Sequence, residues 1–496
     1  MQTQVQKIVI VGGGTAGWMT AAMLKKILAN AVNIELVESE AIGIIGVGEA
    51  TIPPIRLFNN VLGINEAEFI KATKASIKLA IKFENWRTEG ESYFHTFGAP
   101  GKSMAFCPFH HFWLKEQAIN KKDIWQYDLN YLCAINGQFD KLKTQNPFYD
   151  IPYAYHFDAA LYGQFLRSYA EAWGVKRTEG IIDNVIQNSE SGYIESVQLQ
   201  SGDIISGDLF IDCSGAKGLL IHQTLNTGYE DWSHWLPCDR AVAVASERFS
   251  KSALYTRSIA HYAGWQWQIP LQHRNGNGLV YSSRHISDEQ AVDLLLNNLG
   301  SDSLSEPKLV KFRTGRTRKQ WNRNVIAIGL SSGFLEPLES TSIYLIQSAI
   351  VRLLNLFPNQ GIDNRQRNEY NQQSEIEYSH IRDFIILHYI QNERNNNKFW
   401  HEMQQVELPE RLQHKMELFK KQGVLVQEQY DIFLDSSWLQ VMVGQGITPQ
   451  SYHPLANNIK QQELSSMLEN IRLSKLKPLE QMPSHDNFLN TLMQSI

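Results

Sequence analysis

Cysteine is scarce in this chain, and its scarcity narrows the field. Only Cys107, Cys133, Cys213 and Cys238 occur in 496 residues, with no CxxC pair. That argues against a disulfide scaffold or a cysteine zinc site, and free thiols suit a reducing cytoplasm. Excess positive charge is lacking too. The net charge is −5, so neither nucleic acid nor an anionic membrane is expected as a partner. No run of about 18 apolar residues occurs, so no membrane span is expected. The N-terminal MQTQVQKIVIVGGG carries a short apolar run that ends in glycines, which reads as a buried strand and not as a signal peptide. A soluble, cytoplasmic protein is expected. His110 and His111 are adjacent, poor spacing for a shared metal, and no metal is assigned.

Hydrophobic residues make up 43% of the chain, enough for a sizeable core. KIVIVG (7–12) reads as a continuous apolar strand, residues 15–29 as a helix, and NIELVES as a second strand ending near Glu38. This is a βαβ start with a parallel-sheet signature. In 77–84, Ile77, Leu79, Ile81 and Phe83 alternate with Lys78, Ala80, Lys82 and Glu84, the pattern of one half-buried strand. DLFIDCSG (208–215) and NVIAIG (324–329) are further strands ending in glycine. Trp265, Trp267 and Ile269 alternate with Gln266 and Gln268, and HRNGNG after them is expected to turn. Beyond Ser340 the pattern becomes mostly helical.

Gly12-Gly13-Gly14-Thr15-Ala16-Gly17 fits GxGxxG between a strand and a helix. The glycines permit a tight turn and let backbone N–H groups approach a pyrophosphate at the positive end of the helix. Glu38 ends the second strand, where an acid accepts from ribose hydroxyls. Gly12, Gly14, Thr15, Ala16, Gly17 and Glu38 are therefore expected to bind a dinucleotide. Several glycine-ended strands favour FAD, a long cofactor lying across one sheet, over NAD.

Four further segments resemble the flavin-dependent tryptophan halogenase family. Gly46-Val47-Gly48-Glu49-Ala50-Thr51-Ile52-Pro53 is similar to its strap over the flavin. Lys78 in SIKLAIKFENW matches the setting of its catalytic lysine. Trp265-Gln266-Trp267-Gln268-Ile269-Pro270 fits its WxWxIP signature. Gly333-Phe334-Leu335-Glu336-Pro337-Leu338-Glu339-Ser340-Thr341 matches the segment of its catalytic glutamate and halide site. Together with the glycine motif these segments run in order from Gly12 to Thr341.

The resemblance implies a two-component enzyme. A separate reductase supplies FADH2, O2 and halide (bromide or chloride) are co-substrates, and hypohalous acid halogenates an electron-rich aromatic of the indole type. It implies catalytic roles for Lys78 and Glu339, halide binding at Thr341 and Ser342, and flavin contacts at Gly48, Glu49, Ala50, Gly329, Leu335 and Ile346. Trp265, Trp267, Ile269 and Pro270 would shield the flavin from substrate. His95 and Phe97, in YFHTFG, resemble a His-x-Phe pair that stacks on indole, and Trp438 is placed with the substrate. Residue chemistry alone leaves Lys82 and Glu336 as equivalents of Lys78 and Glu339, and it leaves Thr341 and Ser342 as plain helix caps. Segment 437–454 lacks the tyrosine pair with which enzymes for free tryptophan hold the amino acid group.

The expected fold is mixed α/β (α+β): a Rossmann-type FAD-binding domain of the flavin monooxygenase kind with a mostly helical C-terminal region. Residues 1–350 would form that domain, with inserted substrate-region segments at about 85–150 and 235–300, and residues 351–496 the helical region. Oligomeric state stays open, a homodimer being one option. A flavin-dependent monooxygenase and a non-catalytic flavin-binding protein are the competing readings.

Overall fold

The computed structural model describes residues 4–42, 48–104, 106–117, 119–395 and 397–494. Contacts divide the chain into two compact units. The first comprises Met1–Ala75, Phe157–Ser233 and Lys311–Ser379, the second Ser76–His156, His234–Val310 and His380–Ile496.

The first unit is built on a six-stranded sheet in the order Trp321–Asn322, Val325–Ala327, Leu209–Asp212, Lys7–Val11, Asn33–Glu38, Lys176–Glu179. Every pairing except that of Trp321–Asn322 is parallel. Parallel strands covered on both faces need apolar residues throughout, which is why KIVIV and LFID carry no alternation. Val9, Val11, Val37, Phe210, Val325 and Ala327 pack with Leu220 and Ile221 in one core cluster. The helix expected from the glycine motif runs Thr15–Leu28.

The second unit holds a seven-stranded sheet in the order Lys308–Lys311, Arg240–Ser246, Asn275–Tyr281, Gly264–Pro270, Tyr255–His261, Ala80–Glu84, Ser92–Thr96. Two sequence expectations fail here. The segment 77–84 is not one strand: Ser76–Lys78 pairs antiparallel with the strand Ala154–Asp158, while Ala80–Glu84 joins the seven-stranded sheet. The break falls at Leu79, whose N–H donates to Leu254 and whose carbonyl accepts from Phe97, so the backbone bonds of this residue replace the ladder. Nor does HRNGNG turn as a whole. The reversal is at Leu271–Arg274, and Asn275–Tyr281 is a strand buried throughout. Its asparagines are absorbed by side-chain bonds, from Asn275 Nδ2 to the Glu247 carbonyl (2.6 Å) and from Asn277 Nδ2 to Ser246 Oγ (3.0 Å). Gly278 lies opposite Trp267, and a Cβ there would sit 2.0 Å from the indole, so the glycine makes room for the ring.

The C-terminal residues of both units are helical, as expected. Among the described residues no helix is long and apolar enough to cross a membrane. All four cysteines are free and buried.

Candidate active site

In the first unit the glycine turn has a cofactor's shape. Gly12 adopts φ +111°, and a Cβ there would approach the Cys213 carbonyl oxygen to 2.3 Å. Gly17 packs the helix onto the turn, where a Cβ would lie 1.9 Å from the Gly12 oxygen. Gly14 differs from both. It is the N-cap of the helix, and among the described residues no side chain caps that end and a Cβ on it would meet no atom within 4 Å. Bare N–H groups at a positive helix end, facing open space, fit a pyrophosphate. Glu38 borders the same turn: its carboxylate fills the space above Gly13, and Oε1 accepts from Arg177 Nε at 2.6 Å.

Gly329, at φ +79°, closes onto the helix. A Cβ there would be 2.8 Å from Ala16 Cβ and 3.9 Å from Ile346 Cγ1, so three of the expected flavin contacts are neighbours. Thr15 Oγ1 donates to the Ala159 carbonyl at 3.1 Å. Leu335 and Ala50 are buried, and Gly48, Glu49 and Ala50 form a short strand. Gly46 and Val47 lie outside the described residues. Glu49 keeps partial exposure, yet burial of its carboxyl pushes the pKa up to about 7. It can therefore carry a proton near neutrality and serve as a donor. Asp212, at the end of its strand, is spent on structure, since its carboxylate accepts from the N–H groups of Leu220, Ile221 and Ser214.

Glu339 ends a short 3₁₀ turn, Pro337–Glu339, followed by Ser340 in the left-handed region at φ +59°. Glu336 and Glu339 are both buried, so burial does not choose between them. Thr341 and Ser342 open the helix Ser342–Asn355, but the capping reading fails for Thr341. Its backbone is already helical, and it makes no side-chain cap bond. The first N–H groups of this helix are thus left to another acceptor.

In the second unit the main correction concerns Lys78. Sequence alternation places it on a polar strand face beside Lys82. In the structure Lys78 is 0% exposed, and its Nζ stands 5.1 Å from the Phe97 ring centroid. Lys82 lies beyond the strand break, with a quarter-exposed side chain 3.6 Å from Glu84. The strand of Lys78 is held on one side by Ala154–His156 and on the other by His485, whose Nε2 accepts the Ile77 N–H at 3.1 Å.

Burial lowers the His485 pKa to about 4. An imidazole that must accept at Nε2 cannot be protonated there, so folding favours the neutral form. The unfolded state binds the extra proton below about pH 6.5. This stability is present above that value and drains away as pH falls toward 4, by about 3 kcal/mol at the low end. Urea midpoints between pH 4 and 7 should show the slope in the native protein, and His485→Gln, which keeps an acceptor for Ile77, should flatten it. Equal slopes would remove His485 from the account.

His95 and Phe97 part company. Phe97 lies beneath Lys78, while His95 meets Phe384 edge-on (5.5 Å) and Phe433 (6.0 Å). Phe384 stacks on Phe433 at 3.9 Å and meets Trp438 at 4.9 Å. His95 and Trp438 therefore share one aromatic cluster, of which Phe384 and Phe433 carry no sequence motif. A buried bond locks it: Gln440 Oε1, two residues after Trp438, accepts from the Thr96 N–H at 3.0 Å, and Thr96 Oγ1 donates to Asp128. Among the described residues, the buried Trp438 indole N–H has no acceptor. Trp265 and Trp267 sit 6.1 Å apart within a fully buried strand that includes Ile269 and Pro270. Among the described residues, His380, Glu428 and Asp431 have metal-like spacing. Arg411 and Lys415 pair with both acids and supply the compensating charge.

With this geometry established, comparison with known proteins places the chain. The family model for tryptophan halogenase matches residues 7–461. The chain is 36% identical to the tryptophan 6-halogenase SttH of Streptomyces toxytricini, across 84% of each protein. It is 32% identical to the tryptophan 7-halogenase RebH of Lentzea aerocolonigenes, across 99% of each. A flavin-dependent halogenase from Xanthomonas campestris shares 46% identity at a TM-score of 0.96, over 99% of this chain and 98% of that one. BrvH, a flavin-dependent halogenase from Brevundimonas sp. BAL3, shares 41% at 0.95, over 99% of each. The match over nearly the whole chain settles its relationship: this chain belongs to the tryptophan halogenase family.

Proposed function

We propose that this protein binds FAD, receives it reduced from a separate reductase, and halogenates an indole-type substrate with O2 and bromide or chloride. The observation that carries the reading is the full burial of Lys78 against an aromatic ring. A cationic side chain removed from water is costly, and a reaction at that ammonium gives the cost a use. When bound, reduced FAD would supply the two electrons with which O2 and halide become hypohalous acid and water. The residues that fit it are the uncapped turn at Gly12, Gly14, Thr15, Ala16 and Gly17, with Glu38, Gly329 and Ile346 beside it, and Glu49 is assigned to the same cofactor.

The Lys78 ammonium donates a hydrogen bond to the oxygen of hypohalous acid and makes the halogen more electrophilic. Glu339 accepts the ring proton that substitution releases. Backbone N–H groups from Thr341 and Ser342 hold halide. Trp265 and Trp267 are wall residues that keep organic substrate from the flavin.

The substrate end favours an indole without the amino acid zwitterion. The cluster of His95, Phe384, Phe433 and Trp438 is aromatic, and the cations over the Trp438 ring, Arg411 and Lys415, are committed to Asp431 and Glu428. Unpaired buried charges are rejected by several kcal/mol. Indole should therefore exceed free tryptophan in kcat/KM by about 10-fold or more. Steady-state rates with both substrates check this, and a preference for free tryptophan would refute the substrate assignment while leaving halogenation untouched.

A further inference from the structure

Four buried groups form a continuous hydrogen-bonded line beside Lys78. The Ser76 hydroxyl donates to the Pro270 carbonyl at 2.6 Å. His156 Nδ1 lies 3.3 Å from Ser76 Oγ, and its Nε2 lies 2.9 Å from Thr256 Oγ1. Ser76, His156 and Thr256 are all buried, His156 completely. The line joins the lysine strand, its antiparallel neighbour, the strand Tyr255–His261 and the last residue of the tryptophan signature.

The direction of these bonds follows from the one group that has no choice. A carbonyl only accepts, so the Ser76 proton points at Pro270. Ser76 Oγ then meets His156 as an acceptor, and Nδ1 must carry a hydrogen. With Nδ1 protonated, a neutral ring presents the Nε2 lone pair, and Thr256 donates to it. Register puts this ring on the lysine's own face. Ser76 opposes His156 and Lys78 opposes Ala154, so His156 is the diagonal neighbour of Lys78. The titratable groups facing the ring are Lys78 and, from the C-terminal helix, His485. An imidazolium here would put a second cation beside the ammonium, away from water. Burial and the Lys78 charge both hold the His156 pKa well below its usual value.

We propose that His156 is a positioning residue for Lys78: locked as the neutral Nδ1–H tautomer between Ser76 and Thr256, it fixes the lysine strand against the end of the tryptophan signature and adds no second cation beside Lys78. This role rests on the halogenation reading for its consequence, not for its geometry. Displacement of a reacting group by about 1 Å can cost about 100-fold in rate, so the lock governs kcat.

Two measurements test it. In wild-type protein labelled with ¹⁵N at histidine and assigned against His156→Gln, the His156 ring should show a protonated Nδ1 and a bare Nε2 near pH 7. An Nε2–H tautomer or an imidazolium overturns the proposal, whether or not any product forms. Against indole, His156→Leu should lower halogenation kcat by roughly 100-fold with KM and flavin affinity little changed. His156→Gln, whose amide can donate to Ser76 and accept from Thr256, should recover at least a tenth of the wild-type rate. Wild-type kcat in His156→Leu, or an equal loss in the glutamine variant, contradicts the positioning role. If His156→Leu does not fold, the tautomer and the glutamine variant decide. Absence of halogenated product from the wild type itself counts against the function, and the tautomer then judges the lock alone.

Discussion

Lys78→Ala should stop halogenation while leaving the flavin chemistry running. The expected loss is about 10²–10³-fold or more, the scale on which removing one donor from a buried reactive site acts. Flavin affinity and oxygen-dependent flavin reoxidation should stay close to wild type, because the glycine turn that fits the flavin pyrophosphate is built from other residues. The outcome follows from burial: the ammonium is shut away from water against Phe97, and no surface charge can stand in for it. Lys82→Ala is the matched control. That lysine is partly exposed and paired with Glu84, and surface pairs are worth about 1 kcal/mol or less, so its loss should barely change the rate. Lys78→Arg should not rescue, since a planar fork cannot replace a compact ammonium in a filled space. Product yield and oxygen uptake, measured together in the three variants, check this. Equal losses in the Lys78 and Lys82 variants would undo the assignment.

Two glycines three places apart in the motif should fail in different ways. Gly17→Ala forces a methyl to within 1.9 Å of the Gly12 oxygen and 3.5 Å of Leu36. The helix must lift from its turn, at a cost of about 1–3 kcal/mol or more in stability, and flavin binding falls with the fold. Gly14→Ala meets no atom of the described residues, and its φ of −72° and ψ of −175° suit any residue. Stability of the flavin-free protein should be unchanged. FAD affinity should nonetheless drop by about 10–100-fold, since the methyl enters the space where N–H groups reach the pyrophosphate and each charge-assisted bond is worth about 1.5–3 kcal/mol. Denaturant midpoints and flavin titrations of both variants give the contrast. A Gly14→Ala protein that binds FAD normally would show that the cofactor lies elsewhere.

The βαβ start, the glycine turn and the family were all legible in the sequence, because each depends on local pattern: an unbroken apolar strand, glycines where a Cβ collides, motifs in fixed order. The state of Lys78 was not. Period-two alternation assumes that a strand continues, and the break at Leu79 depends on backbone bonds to Leu254 and Phe97, remote partners that no window of sequence contains. HRNGNG misled for a related reason. Asparagine and glycine signal turns when solvent must cover them, but here Ser246 and Glu247 accept from the asparagine amide nitrogens and the Trp267 ring covers Gly278. Phe384, Phe433, His156 and His485 were missed outright. The one available hint for His156 was a lone polar ring in the apolar run AYHFD, a pattern that on its own means only a satisfied core histidine. Its tautomer became readable only once the Pro270 carbonyl was known to face Ser76.

The central claim is that this chain performs halide-dependent substitution on an indole ring, and a single-turnover reaction tests it most directly. Protein, chemically reduced FAD, O2 and indole are mixed with and without bromide, and the products are weighed by mass spectrometry. The account predicts a product with the paired isotope masses of one bromine, formed only with bromide and missing in Lys78→Ala. An oxygenated indole that forms equally without halide, or no product in either reaction, would contradict it.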